Sequence, residues 1–350
     1  MNYFFRKLGS LKLFYSLSLL VTLVVFIYAI TFAALDYYNF RQEVDSAIKE
    51  QNIRAKNRFL EMFVHTKYIA ESISRQILIK HSGQKEIDYE FINSLLIGYR
   101  NSVNELISWS AFSWADKNSN VVVSSSVGIL KTPISLKNRD YIPLTISYPN
   151  HIHLGKPVIS AVSRFWSIPA GYGVVDQRGN YLGAVVTGMI LDGVAQNIDE
   201  SITDRNVTFA VVDAKGEILA KSLHFNLKKS KKFFEKLKAH PSAKSFRYKD
   251  GYYQKVDDYP YGVVTFYRHG LLKDKLTSVS IHMFFIAIVL FVIHLIFAFF
   301  YKKLLLPMFQ LSEMATKVLQ GEKLEHKVPK FEIEEVEDFA KAIRSANKRR

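Results

Sequence analysis

The chain of 350 residues contains no cysteine. Disulfide frameworks and thiolate metal sites are thereby excluded. Catalytic patterns are missing too. The C-terminal segment carries no Gly-rich phosphate loop and no histidine in a kinase-like acceptor context, and His326 reads as a solvated residue. Nowhere does a nucleophile-elbow pattern accompany the serines. His151-x-His153 has metal-ligand spacing, but neither cysteine nor paired carboxylates stand near it in sequence. No catalytic residue, metal or cofactor is therefore expected. Charge is also absent from two long runs, Leu13–Leu35 and Leu276–Tyr301.

Those runs, 23 and 26 residues long, each exceed the roughly 20 needed to cross a bilayer as helix. Both are apolar on every face, unlike the striped helix of a soluble core. Arg6, Lys7 and Lys12 precede the first, and Lys302 and Lys303 follow the second, whereas the first exits into Asp36. Lys and Arg on short flanks mark the cytoplasm. The expected layout is therefore a cytoplasmic N-terminus at 1–12, a span at 13–35, an outer domain at 36–275, a second span at 276–301 and an inner segment at 302–350. A cleaved signal peptide fits poorly, because its apolar stretch is shorter and ends in small residues. The net charge is +15. Within 36–275, however, 33 basic and 24 acidic side chains are interspersed. Attraction to anionic lipid headgroups accounts for this excess, and nucleic acid is not an expected partner.

After the first span, Phe40, Val44, Ile48, Gln51, Ala55, Phe59, Met62, Thr66, Ile69, Ile73 and Ile77 step by four and three. This predicts a stalk helix reaching roughly 60 Å. Gln51, Ala55 and Thr66 dilute its seam, so the helix is expected to lie against the outer domain and a twin from a second subunit. A short helix is predicted at about Asp88–Tyr99. Three strand–turn–strand units follow, turning at Asp116-Lys117-Asn118, Asp176-Gln177-Arg178-Gly179 and Asp213-Ala214-Lys215-Gly216. Asp with Gly or Asn between β-rich runs signals a hairpin. A fourth pairs Gly251–Val256 with Val263–Arg268. Helices are predicted near Leu191–Ser201 and Lys228–Lys238, the latter burying Phe233, Phe234 and Leu237. The fold class is α+β: two α/β modules, at about 85–195 and 205–270, each an antiparallel sheet with helices on one face.

The stretch Asn138-Arg139-Asp140-Tyr141, Leu154-Gly155-Lys156-Pro157-Val158, Arg164-Phe165-Trp166-Ser167-Ile168-Pro169, Val175-Asp176-x-x-Gly179 and Gly183-Ala184-Val185-Val186 is similar to the distal module of double Cache sensor domains. These PAS-like domains belong to bacterial transmembrane receptors such as sensor histidine kinases and diguanylate cyclases. The match covers about 60 residues in order, and the smaller module matches only in outline. The resemblance implies a lid folded over a small ligand. The candidate ligand contacts are Arg139, Asp140, Tyr141, Arg164, Trp166 and Ser167. Arg164 and Trp166, two apart on an expected strand, would share one face. A guanidinium beside an indole suits a small carboxylate or an amine-bearing acid. Asp140 also reads as the N-cap of a helix over Tyr141–Ile146, and Trp166 also reads as core.

Beyond the second span, Leu304, Met308, Leu311, Ala315 and Val318 form a heptad seam. Gly321 ends that helix, Glu322–Glu332 connects, and Ile333, Val336, Ala340 and Ile343 form a second seam. Neither short helix is expected to bury its seam alone, and a parallel four-helix bundle in a homodimer would do so. Pro307, Gly321, Leu324, Val328 and Glu332-Ile333 resemble a HAMP domain, although Glu334 stands where that family often has glycine. The expected function is a homodimeric, multi-pass sensor of the bacterial inner membrane, with both termini cytoplasmic and residues 36–275 periplasmic. It would pass a ligand signal to a kinase or cyclase. Two other readings remain open. One is the input half of such an enzyme, with its output domain missing or encoded separately. The other is an envelope protein-interaction module.

Overall fold

A computed structural model describes residues 2–82, 86–103, 109–268, 270–321 and 334–348. The chain divides into two compact units, Arg41–Leu271 and Met1–Phe40 with Leu272–Arg350. Helix α1 runs unbroken from Asn2 to His81. Within the first unit its seam is buried from Val44 to Ile77, apart from half-buried Ile69, against this chain's own sheets. That face is therefore not open to a twin helix. Nor do its polar members dilute it. Gln51 donates through Nε2 to Thr203 Oγ1 at 3.0 Å and accepts from Thr203 N–H at 3.0 Å. Thr66 Oγ1 accepts from Trp109 Nε1 at 2.8 Å. Fully buried Asn52, beside the seam, offers its amide N–H groups to Val263 O at 2.9 Å, Tyr252 O at 3.2 Å and Thr265 Oγ1 at 3.2 Å. Helix α2 (Tyr89–Ser102) starts where the Asp88 carboxylate accepts the Phe91 N–H, an N-cap that satisfies one orphan donor.

The first sheet comprises β1 (Ser113–Asp116), β2 (Asn120–Ser124), β3 (Gly128–Ser135), β4 (Ile152–Leu154), β5 (Val158–Ile159), β6 (Trp166–Val175) and β7 (Tyr181–Ile190). Its order is β3-β2-β1-β7-β6-β4, with β5 also on β6, and every pairing is antiparallel. Helix α3 (Ile142–Ser147) lies in the β3–β4 connection. Helix α4 (Leu191–Ser201) leads to the second sheet of β8 (Val207–Asp213), β9 (Ile218–Lys221), β10 (Ser245–Tyr248), β11 (Gly251–Lys255) and β12 (Tyr261–Tyr267). Its order is β10-β11-β12-β8-β9, with α5 (Leu227–Lys238) between β9 and β10.

Three hairpin turns share one device. The carboxylates of Asp116, Asp176 and Asp213 each accept N–H groups two and four residues on, at 2.7–2.9 Å. The residue three places on then takes positive φ: Ser119, Gly179 and Gly216. This is why Asp and Gly carry the hairpin signal here.

Each sheet is covered on both faces, not one. On the first, Trp114, Val123, Val174 and Val185 pack against Ile73 and Ile77 of α1 and Ile92 and Leu96 of α2. Its other face, with Ala115, Ala184 and Val186, meets Leu136, Tyr141 and Ile142. On the second, Phe209, Val211 and Val263 meet α1 and α4, while Val212, Val264 and Phe266 meet Phe233, Phe234 and Leu237 of α5.

In the other unit, helix α6 (Leu271–Phe300) continues through a π-turn at Tyr301–Leu305 into α7 (Leu306–Leu319). The helix is thus continuous past the second apolar run. The π-turn falls just before Pro307, whose ring lacks the N–H that Lys303 O would accept. Two helical stretches, within Ser18–His81 and Leu271–Leu319, are long and apolar enough to cross a membrane. Ser18 Oγ stands 3.0 Å from His294 Nδ1, and Lys275 Nζ 2.7 Å from an Asp36 carboxylate oxygen. The pairing of 18 with 294 and 36 with 275 makes the stretches antiparallel. Gly321 takes positive φ after α7. The connector Glu322–Glu332 and Ile333 lie outside the described residues. Helix α8 spans Glu334–Lys348. Leu311 and Val318 of α7 bury against Val336, Ala340 and Ile343 of α8. The two seams therefore cover part of each other within one chain, which two isolated helices would not. Met308 and Phe339 remain exposed.

Candidate functional site

A cleft opens on the face of the first sheet that the β3–β6 connection covers. Its floor comes from β1, β6 and β7, where Ser113, Ser167, Pro169, Val186 and Gly188 share one face by strand alternation and register. Its roof comes from Leu136, Arg139, Tyr141 and the segment Val158–Val162. The roof sits low because β6 presents glycines to it. A Cβ on Gly171 would meet the Tyr141 ring and Thr145 at 2.8 Å, and one on Gly173 would meet Thr145 O at 2.0 Å. Glycine inside a strand marks such close approach.

Of the six candidate contacts, the structure brings three together. Arg139, Tyr141 and Ser167 line the cleft. Arg139 begins the roof, where Ile142 N–H bonds to its carbonyl, and its guanidinium reaches Ile159 O at 3.4 Å. Tyr141 is buried. Burial pushes its phenol well above the ordinary value, with Arg139 opposing and Asp140 adding to the shift, so the ring stays neutral at any physiological pH. Ser167 is 1% exposed.

The other three lie elsewhere. Asp140 is not a helix N-cap: α3 begins at Ile142, with Tyr141 at the cap position and no side-chain cap bond. Its carboxylate oxygens instead accept the Lys156 N–H at 3.2 and 3.3 Å, stapling the start of the roof to the Gly155–Lys156 segment. Arg164 is not on a strand. It sits at φ 64° in the turn joining β5 to β6, where its N–H donates to Ser160 O at 3.0 Å. The shared face inferred for Arg164 and Trp166 does not exist, because β6 begins only at Trp166. Trp166 is 57% exposed, so it is neither core nor cleft. The His151 and His153 imidazoles each bond to a nearby carbonyl, Pro149 O and Tyr148 O.

Two cleft residues had no signal that singled them out, Ser110 and Gly188. Ser110 N–H donates to Gly188 O at 2.7 Å. A Cβ on Gly188 would stand 2.8 Å from Ser167 Oγ and 3.0 Å from Ser110 Oγ, so both hydroxyls overhang one small space.

The Gly155–Lys156 segment, which Asp140 staples to the start of the roof, also touches the second sheet. Tyr261, first residue of β12, donates its hydroxyl to Gly155 O at 3.0 Å. Gly155 N–H in turn bonds to Pro169 O at 2.9 Å. The Tyr261 ring packs on Phe59 and Phe63 of α1, with centroids 5.9 Å away in each case.

No family model matches the chain, and no curated protein matches it. Solved structures do. An extracellular ligand-binding receptor from Desulfohalobium retbaense is 15% identical, with TM-score 0.46, over 66% of this chain and 40% of the receptor. The chemoreceptor sensory domain from Campylobacter jejuni, solved with isoleucine bound, is 12% identical, with TM-score 0.48, over 69% of this chain and 98% of that domain. The sensor domain of a V. cholerae histidine kinase is 13% identical, with TM-score 0.46, over 66% of this chain and 98% of that domain. The matched part of this chain thus spans less than half of the Desulfohalobium receptor's length and nearly all of the two sensory domains.

Proposed function

We propose that this chain is the sensing and transmitting part of a homodimeric bacterial membrane receptor. A small molecule binds the cleft of the first sheet, which is the distal module of a double Cache domain at 36–275. The stretches at 13–35 and 276–301 cross the inner membrane, with both termini in the cytoplasm. Residues 302–350 form a HAMP-like bundle with their twins and hand the signal to a kinase or cyclase.

The observation that carries this reading is the cleft itself. It is a concave site under a roof, with one guanidinium and two overhanging hydroxyls on a mostly apolar wall, the usual make-up of a small-molecule site. The antiparallel pairing of the two apolar helices supports termini on one side. The contact of α7 with α8 supports an inner helical switch. Ligand binding shifts such a switch only by its differential affinity for the two states, and a tenfold preference is about 1.4 kcal/mol.

The test is a thermal-shift screen of the full chain in detergent against organic acids, amino acids, amines and purines. Binding at 100 times Kd stabilises by about 2.7 kcal/mol. The reading expects a hit that Arg139→Gln and Ser167→Ala both abolish. A flat screen on well-folded protein contradicts it and favours an envelope protein as partner.

A further inference from the structure

Inside the two apolar stretches, Ser18 of α1 meets His294 of α6, with Oγ 3.0 Å from Nδ1. Thr22 Oγ1 turns back on its own helix, donating to Ser18 O at 2.9 Å. Each ring nitrogen of a histidine can make a hydrogen bond. The second one of His294, Nε2, has no partner among the described residues. An ionisable side chain within a membrane is costly and marks a functional site. The inference here rests on the reading that both stretches cross the membrane.

Beside this pair the two helices enclose a slot of about 500 Å³, a volume usual for small-molecule sites. Because the stretches are antiparallel, Ser18 and His294 stand toward one end, and Val25 and Phe285 toward the other. From His294 to Phe285 is about 14 Å along the helix. The run Leu276–Tyr301 is about 39 Å long against a hydrocarbon core of about 30 Å, so when centred it holds His294 about 6 Å inside that core.

Depth and lining narrow the occupant. No Asp, Glu, Lys or Arg lines the slot, and an ionised head group would lose its hydration there without a counter-ion. A plain hydrocarbon chain would leave Nε2 unsatisfied in a medium without water. The ester carbonyls of bilayer lipids lie at the interface, too shallow to reach it. We propose that the slot binds an uncharged lipophile with a carbonyl head, its chain lying along the helices toward the middle of the bilayer. The Ser18 hydroxyl donates to Nδ1, which keeps the proton on Nε2 for donation to that carbonyl. A membrane quinone and a long-chain ketone share this chemistry.

The experiment is photolabelling of the full chain in phosphatidylcholine nanodiscs. The probe is a benzoquinone whose ten-carbon tail ends in a diazirine, and decylbenzoquinone, dodecan-2-one and dodecane are the competitors. The expected result is saturable labelling that mass spectrometry maps to residues 21–25 and 285–289. His294→Leu raises the half-saturating concentration at least tenfold, and His294→Gln, which keeps an amide N–H, recovers part of it. Thermal unfolding confirms that each variant is folded. Competition by the quinone alone assigns a ring head, and competition by the ketone as well assigns any carbonyl. Dodecane competing equally, or labelling indifferent to His294→Leu, overturns the proposal. Labelling that never saturates overturns it too, and disulfide cross-linking of Val21→Cys between subunits then identifies a second copy as the occupant. Modification of Val25→Cys by a membrane-impermeant maleimide contradicts the membrane reading itself, and the proposal falls with it. An unmodified Val25→Cys leaves that reading standing whatever the labelling shows.

Discussion

Gly188 is the residue whose lack of a side chain makes the cleft. A methyl group there would occupy the space that Ser110 and Ser167 overhang. Gly188→Ala is expected to lower ligand affinity at least tenfold, about 1.4 kcal/mol, while overpacking costs about 1–3 kcal/mol of stability. Calorimetry beside urea unfolding checks both; unchanged affinity contradicts the geometry. Asp176 offers a pH test. The Asn180 side-chain amide, then the Asn180 and Arg178 backbone N–H groups, hold its carboxyl below the ordinary carboxylate value. Its folded pKa is depressed, so its contribution is full above the unfolded value of about 3.9 and is lost as pH falls through the folded one. Amide exchange at Asn180 should accelerate as pH drops below about 4, relative to the intrinsic rate, and that acceleration should vanish in Asp176→Asn. At this scale the sequence was readable where chemistry is local. The Asp turns declare themselves because carboxylate, amides and the positive-φ residue lie within five positions. Arg164 misled because its left-handed backbone in the β5–β6 turn leaves no mark in residue type. Ser110 was silent because its role arises from Gly188, 78 residues away in sequence.

Among the elements, α1 was legible in period and misread in meaning. Its four–three steps located the buried face. Gln51 and Thr66 looked like dilution only because their partners, Thr203 and Trp109, are distant in sequence, and Ala55 is itself buried in the core. Asn52 gives the test. Its N–H groups face two carbonyls and a hydroxyl. Asn52→Ala forfeits those bonds and leaves buried acceptors short, at about 1–3 kcal/mol. Asn52→Asp should cost more, because it sets a buried carboxylate against carbonyl oxygens with no donor to offer. Urea midpoints should fall in the order wild type, Ala, Asp. An aspartate variant as stable as wild type contradicts the buried contacts. Strand β3 was missed for a different reason. It lies at the sheet edge, mostly exposed, with Lys131, Thr132 and Pro133 in its middle. Edge strands tolerate proline and need no apolar alternation, so neither signal was present.

For the whole molecule, the account joins a cleft in the first sheet to helices at the other end of the sequence. Tyr261 ties the second sheet to Gly155, beside the segment that Asp140 staples to the roof, and its strand β12 ends four residues before α6 begins. Tyr261→Phe keeps the ring on Phe59 and Phe63 but removes the hydrogen bond to Gly155 O, worth about 1 kcal/mol. Ligand affinity should change little while the response of the inner helices weakens. Equal responses in both proteins, measured on the same labelled dimer, would remove Tyr261 from the path. The succession of antiparallel sheet segments and the two apolar stretches were legible in the sequence because they depend on composition over tens of residues. The mutual burial of α7 and α8 was not, because it brings together two seams that each read as a separate stripe in the sequence.

The most direct test measures distance across the proposed dimer. The chain has no cysteine, so Lys302→Cys carries a single nitroxide label per subunit. Double electron–electron resonance on the full chain in nanodiscs, with and without a hit from the thermal-shift screen, reads the spacing of the π-turn that follows α6. The account predicts a shifted distance distribution in the labelled protein and none when Arg139→Gln is added. An unchanged distribution in protein that calorimetry shows to be saturated with ligand would contradict the claim that the cleft controls the inner helices.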